Sequence, residues 1–303
     1  MTELPEIHRP GEAAGSAIVV NGDLGSGKST VSVEIARRLG VRRICVGDLY
    51  REMARQRNMT ALQLNLHAEL DDEVDGYVDR LQRDIAGSGQ QLVVDSRLAW
   101  HFFTDAMKVH LMTDRAVAAR RVLGRPASSV ESYSSSADAV ERLRERSESE
   151  RTRFLVRYGV DKTRLRNYTV VCDTTSATPE EVVDRVIRCY REPAAEVPVL
   201  FVDPRRIYPT GPVPASADGG GAAPLSLGYT GEHFFVVDGH RRLSGALRAR
   251  ESLVEARLVA EADEPVPGTG RSATGYFGSR VRPDAVHDWA AAHGTTLPVP
   301  ARS

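Results

Sequence analysis

The sequence predicts an α/β protein: a five-stranded parallel sheet with helices on both faces, followed by a smaller α+β unit. Three observations predict it. Short β-rich runs alternate with stretches of helical periodicity as far as Tyr190, the pattern of parallel strands joined by crossover helices. A glycine-rich turn separates the first such strand from the first such helix. After Tyr190 the composition shifts: Pro193, Pro198, Pro204, Pro209, Pro212 and Pro214 crowd together and Gly219-Gly220-Gly221 follows, which reads as linker and loop.

The strands are expected at Ala17–Asn21, Arg43–Val46, Gln91–Val94, Ala106–Leu111 and Tyr168–Cys172, each a short apolar run of strand length. Helices are expected at Ser29–Leu39, with Gly40 as its terminator, at Asp48–Arg57, Thr60–Gly87, Arg115–Leu123, Ala139–Tyr158 and Pro179–Tyr190. Gly suits the left-handed residue that ends a helix, and Pro its first turn. The serine-rich stretch Pro126–Ala137 reads as a mobile loop. Beyond the proline-rich segment, strands are expected at Val197–Val202, Phe234–Val237 and Val254–Val259, with a helix at His240–Ala249.

Net charge is −1 over 303 residues, so no global field draws nucleic acid or an anionic membrane. No stretch reaches the length of a membrane span, and the polar, acidic start carries no signal-type apolar run. A cytoplasmic location is the expectation. Cys45, Cys172 and Cys189 are widely spaced with no CxxC pair, so buried, reduced thiols are expected rather than zinc or redox chemistry.

Gly22-Asp23-Leu24-Gly25-Ser26-Gly27-Lys28-Ser29 matches G-x-x-x-x-G-K-S/T between a strand and a helix, the context in which the pattern binds phosphate. Gly22, Gly25 and Gly27 let the backbone curl until its N–H groups face an anion, Ser26 lies within that curl, and the helix adds its N-terminus. Lys28 would reach the β and γ phosphates of ATP, Ser29 would ligate Mg²⁺, and Thr30 completes the cradle.

Further motifs follow in order. Val46-Gly47-Asp48-Leu49-Tyr50-Arg51-Glu52-Met53-Ala54, Ala68–Asp75, Val93-Val94-Asp95-Ser96-Arg97-Leu98-Ala99, the Arg/Glu-rich stretch from Arg142 ending in Tyr158-Gly159-Val160-Asp161, and Asp173-Thr174 together resemble the archaeal-type cytidylate kinases, within the nucleoside monophosphate kinases, from Ala17 to about Tyr190. The resemblance implies a P-loop kinase domain over residues 17–192, with a lid over about 113–155; the polar residues 1–16 before it read as a disordered leader. It implies Arg51 and Arg97 on the acceptor phosphate, Asp48 orienting Arg51 or holding an acceptor hydroxyl, and Asp95 in the Mg²⁺ shell. Lid arginines, Arg121 and Arg125, would meet the transferring phosphoryl group. Arg146, Arg153 and Asp161 are further acceptor candidates, with solvated surface pairs as the alternative for the helix arginines. Ser96 and Trp100 stand where the family carries small residues; Trp100 either stacks on the acceptor or packs in the core.

Phe235-Val236-Val237-Asp238-Gly239-His240-Arg241-Arg242-Leu243, with Val202-Asp203-Pro204 upstream, resembles the ParB/sulfiredoxin superfamily. It implies a small domain over 193–262, with a second anion site at Asp238, Gly239, His240, Arg241 and Arg242, before a Gly/Pro-rich tail at 263–303. That tail holds a candidate helix at Pro283–His293. DNA is not an expected partner, since no helix-turn-helix pattern or basic stretch follows. Three functions stay open: an ATP:nucleoside monophosphate kinase acting on a CMP- or dCMP-like acceptor, a kinase for a metabolite hydroxyl with Asp48 or Asp95 as base, and a nucleotide-dependent regulatory or DNA-binding protein.

Overall fold

Strand pairing around the first strand decides where the glycine-rich turn sits. The computed structural model describes residues 16–56, 58–59, 72–124, 133–214, 223–279 and 282–297. Strand β1 (Ile18–Gly22) lies between β3 (Leu92–Asp95) and β4 (Met107–Met112), parallel to both, with Val20 opposite Asp95. Strand β2 (Arg42–Cys45) flanks β3, and β5 (Val170–Asp173) flanks β4, again in parallel. These are the five expected parallel strands.

Helices α1 (Lys28–Leu39), α2 (Val46–Gln56), α3 (Asp72–Gly87), α4 (Ala99–Phe102), α5 (Arg115–Leu123), α6 (Ser136–Tyr158) and α7 (Pro179–Arg191) connect and cover them. Alternate strand residues divide between two cores. Ile18 and Val20 pack on one face with Val31 and Ile35 of α1 and Val182 and Val186 of α7. Val19 packs on the other with Trp100 of α4 and Phe154 of α6. Helix α6 begins within the serine run expected to be loop, because Ser135 accepts a hydrogen bond from the Asp138 backbone N–H and caps it.

The sheet does not stop at five strands, which corrects the expected size. Strand β6 (Val199–Val202) pairs in parallel with β5, Val171 opposite Leu200, and on its other edge antiparallel with β10 (Val254–Glu261). Next come β8 (Leu225–Tyr229), β9 (Phe234–Asp238) and the two-residue β7 (Ile207–Tyr208), giving one ten-stranded mixed sheet. The expected boundary near residue 193 therefore falls inside a continuous hydrogen-bonded sheet.

Strand β7 lies in what composition marks as linker, and β8 follows just after it. Gly228 hides β8 from a strand reading. It is required there because a Cβ would sit 2.0 Å from the Phe277 ring. Helices α8 (His240–Arg248), α9 (Ala273–Gly278) and α10 (Pro283–His293) complete the chain. Among the described residues no helix is long and apolar enough to cross a membrane.

Candidate functional site

The turn from β1 to α1 has the backbone of a phosphate cradle. Gly25 and Gly27 both have φ of 81°, and Gly27 is the N-cap of α1. A Cβ on Gly25 would lie 2.9 Å from the Ala118 backbone, and one on Gly22 would lie 2.7 Å from Ser26 Oγ. The curl thus admits only glycine at these points. Ser26 Oγ is buried and has no hydrogen-bond partner among the described residues; a bound phosphate oxygen at the cradle would answer that demand. Ser29 and Thr30 are exposed on the first turn of α1.

Lys28 forms an ion pair with Asp95, which ends the neighbouring strand and is 1% exposed. Arg43 Nη2 also reaches Asp95, at 2.5 Å, and Ser32 Oγ donates to it at 3.2 Å. Burial alone would raise the Asp95 carboxyl, but the charges of Lys28 and Arg43 outweigh it and hold the group below the usual carboxylate range. Arg43 was invisible as a site residue in the sequence, since one basic residue in an edge strand reads as surface. Its in-register neighbours, Ile44 opposite Val94 and Cys45 opposite Asp95, carry it there.

Two residues past Asp95, Arg97 forms an ion pair with Glu150 of α6. Lys162 Nζ lies 3.1 Å from the other Glu150 oxygen and Arg146 Nε is 3.6 Å away. Glu150 is 8% exposed, so the solvated-pair reading of this helix is corrected at that position. Burial would raise its carboxyl, yet Arg97 and Lys162 keep it low. Only the i, i+4 relation of Arg146 and Glu150 hinted at the cluster in the sequence. Asp161 is gripped by Arg151, with Nη2 at 2.8 Å, and accepts from the Thr163 backbone N–H at 2.9 Å.

Other expected residues are placed differently. Arg121 donates to Thr174 O at 2.6 Å and to Gly25 O at 3.4 Å, tying the cradle loop to the segment after β5. Arg153 is exposed, with its guanidinium 5.7 Å from the centre of the Phe154 ring. Asp48 is exposed, 3.9 Å from Arg43. Trp100 is corrected from the acceptor pocket to the core: it is 4% exposed, meets Tyr168 edge-on at 5.5 Å and donates to Arg97 O. The fourth helix turns its first residues inward, so the ring has no free face. Arg125 and the Arg51 side chain lie outside the described residues.

A cleft of about 740 Å³ opens beside the cradle, within the range of small-molecule sites. Its floor is a polar network that sequence reasoning missed. The Asn21 side-chain amide donates to Tyr168 Oη at 2.6 Å and to His110 Nδ1 at 3.1 Å, while Tyr168 Oη donates to Lys162 O at 2.7 Å. Nδ1 of His110 accepts, so Nε2 carries the proton and faces Asp23 at 3.7 Å. Burial lowers the His110 pKa and keeps the ring neutral. Arg97, Glu150 and Asp161 line the cleft.

The Asp238–Arg242 turn lies elsewhere. Gly239, with φ of 101°, caps α8. His240 Nε2 donates to Thr210 Oγ1 at 3.1 Å, since that hydroxyl donates to Val236 O. Arg242 forks onto Glu251 at 2.7 and 2.8 Å. Arg241 is exposed.

Comparison with known proteins gives the following. A family model described as an AAA domain matches residues 18–157. A cytidylate kinase of Natronomonas pharaonis is 35% identical over 178 residues, covering 57% of this chain and 90% of the relative. A cytidylate kinase of Pyrococcus horikoshii is 34% identical over 166 residues, covering 54% of this chain and 83% of the relative. A shikimate kinase structure from Bacteroides thetaiotaomicron superposes with a TM-score of 0.45 at 16% identity, covering 58% of this chain and 99% of that one.

Proposed function

The chain belongs, through its N-terminal part, to the cytidylate kinase family, and from that premise we propose that it transfers the γ-phosphoryl group of ATP to a nucleoside monophosphate of the CMP or dCMP kind. The observation that carries the reading is the placement of a phosphate cradle and Arg97 at the ends of two adjacent parallel strands, β1 and β3. That spacing suits two phosphates brought end to end.

In this reading the acceptor phosphate oxygen attacks the γ-phosphorus in line. A P–O bond forms to the acceptor, the bond to the bridging β–γ oxygen breaks, and ADP leaves with that electron pair. Lys28 moves from Asp95 to the β and γ oxygens and stabilises the charge that develops there. Arg97, aimed by Glu150, grips the acceptor phosphate through paired N–H groups. No protein base is needed. The hydroxyl-kinase reading is less well served, because Lys28, Arg43 and Ser32 already engage Asp95 and Asp48 is paired with Arg43 at the surface.

Among the described residues no cluster of His, Cys, Asp or Glu holds a metal by itself. The exposed Ser29 hydroxyl and the Asp95 carboxylate nevertheless fit Mg²⁺ bound mainly by nucleotide phosphates and water. Such an ion, when bound, neutralises charge on the β and γ oxygens. The test of the acceptor is ADP release with CMP, dCMP, UMP and AMP. CMP and dCMP are expected to show the highest kcat/KM, and no turnover with any of the four overturns the reading.

The second anion site at Asp238–Arg242, and the ParB/sulfiredoxin likeness behind it, belong to this proposal as well. A left-handed glycine at a helix start favours an anion, though His240 and Arg242 are engaged within the chain. With the cradle itself blocked by Gly25→Val, whose Cβ would meet the Ala118 backbone, calorimetry should still detect weak ATP binding that Arg241→Ala removes. Complete loss of binding in a folded Gly25→Val protein would exclude the second site.

A further inference from the structure

The cleft does not end where the similarity to the cytidylate kinases ends. The relative from Natronomonas covers 57% of the chain, yet Arg206, Thr230, Glu232, Glu261, Asp263 and Thr274 also line the cleft. These come from the segment before β7, the β8–β9 turn, the end of β10 with the turn after it, and the first turn of α9. They form a wall facing α6 and the loop after it.

The wall is anchored to the kinase part at several points. Glu261, 2% exposed, accepts hydrogen bonds from the Leu165 and Arg166 backbone N–H groups at 2.7 and 3.1 Å. Arg206 Nη1 donates to Asp173 at the end of β5 at 2.7 Å. Arg166 Nε lies 2.6 Å from Glu264, and Arg164 pairs with Asp263. Strand β10 also joins the kinase strands through β6. A wall held this way keeps its shape, as a specificity surface must.

Its chemistry differs from that of the opposite side. The kinase part faces the cleft with more cations than carboxylates, Arg97, Arg144, Arg151 and Lys162 among them. The wall presents carboxylates, hydroxyls and turn carbonyls, and its one arginine is already answered by Asp173. A phosphate suits the first surface. Amino and hydroxyl groups, which donate hydrogen bonds, suit the second. Lys28, Ser29 and Thr30, which would hold the triphosphate, are not part of this cleft's lining.

We propose that the C-terminal segment supplies a specificity subsite of the kinase, in which Thr230 and Glu232 of the β8–β9 turn hold the hydrogen-bond-donating nucleoside end of the phosphoryl acceptor. This rests on the monophosphate-kinase reading above. Glu232 suits a test because it is exposed and its ion pair with Arg115, at 3.1 Å, is a surface pair of little worth to stability.

The experiment uses full-length Glu232→Gln and Thr230→Val proteins, with thermal melts as a check on folding. Steady-state kinetics are measured with ATP and the best monophosphate. Glu232→Gln is expected to raise the acceptor KM about tenfold, as for loss of one charge-assisted hydrogen bond, with the ATP KM within about twofold of wild type. Thr230→Val should move the same constant in the same direction. Unchanged acceptor KM in both folded variants, or a rise in the ATP KM instead, overturns the proposal. A wild type that phosphorylates no monophosphate would defeat the functional reading separately. Hydrogen exchange of residues 225–232 with and without CMP then decides the subsite: protection supports it, unchanged exchange overturns it.

Discussion

Lys28→Met is expected to lower kcat by about a hundred- to a thousandfold, the usual loss when one preorganised charge at the transferring group is removed. The protein should still fold. Asp95 keeps Arg43 at 2.5 Å and Ser32 at 3.2 Å when Lys28 is gone, so no buried carboxylate is stranded. ATP binding should weaken less than turnover falls, since the backbone N–H groups of the cradle and the start of α1 remain. The measurement is single-turnover phosphoryl transfer alongside calorimetric ATP binding. Equal losses in binding and turnover would mean that Lys28 acts only by holding ATP; unchanged kcat would remove it from the mechanism. Lys28→Arg should not restore the rate, because a planar fork does not replace a compact ammonium against Asp95 and two phosphates.

Arg206→Met is expected to destabilise the protein by about 3–5 kcal/mol, the cost of breaking one side of a buried ion pair. That corresponds to a fall in Tm of about 10 °C. Asp173 is 1% exposed, and its remaining partners are Thr175 and a long contact at 3.4 Å from the Asp203 backbone N–H. Burial already pushes the Asp173 carboxyl above the ordinary value even though Arg206 pulls it back. An acid whose folded pKa exceeds its unfolded one gives up stability as pH rises past the unfolded value. Loss of Arg206 widens that gap. The deficit of Arg206→Met should therefore be largest near neutral pH and shrink toward about pH 4, where the unfolded carboxyl also takes a proton. Adding Asp173→Asn to Arg206→Met should restore most of the loss. Melting curves from pH 4 to 7.5 check this, and a deficit independent of pH would show that Arg206 serves by packing alone.

These two residues also mark how far the chain could be read before folding. The cradle was legible because it is local. From Gly22 to Ser29 the backbone itself meets the anion, and the left-handed turns at Gly25 and Gly27 need glycine whatever surrounds them. Four of the five parallel strands, β1, β3, β4 and β5, were legible because each is a short apolar run buried on both faces, while the edge strand β2 showed only through its apolar end at Ile44 and Cys45. Arg97 was legible as a member of an ordered set of motifs.

Its partner was not. Glu150 lies 53 residues further on, and a charged helix reads as solvated until its packing against the sheet is known. Arg43 and Arg206 escaped for the same reason, because their carboxylates come to them across strands. Trp100 was open between pocket and core, and the turn of α4 onto Tyr168 decided for the core. The proline- and glycine-rich stretch after Tyr190 looked like a tether. Yet the free edge of β5 offers unpaired backbone groups, and β6 takes them and extends the sheet. Local backbone geometry and apolar periodicity were enough to specify the phosphate cradle and the parallel α/β frame that presents it. Which charges meet, and that the chain beyond residue 193 walls the same cleft, emerge on folding alone, since hydrogen bonds and ion pairs between distant segments leave no periodic trace.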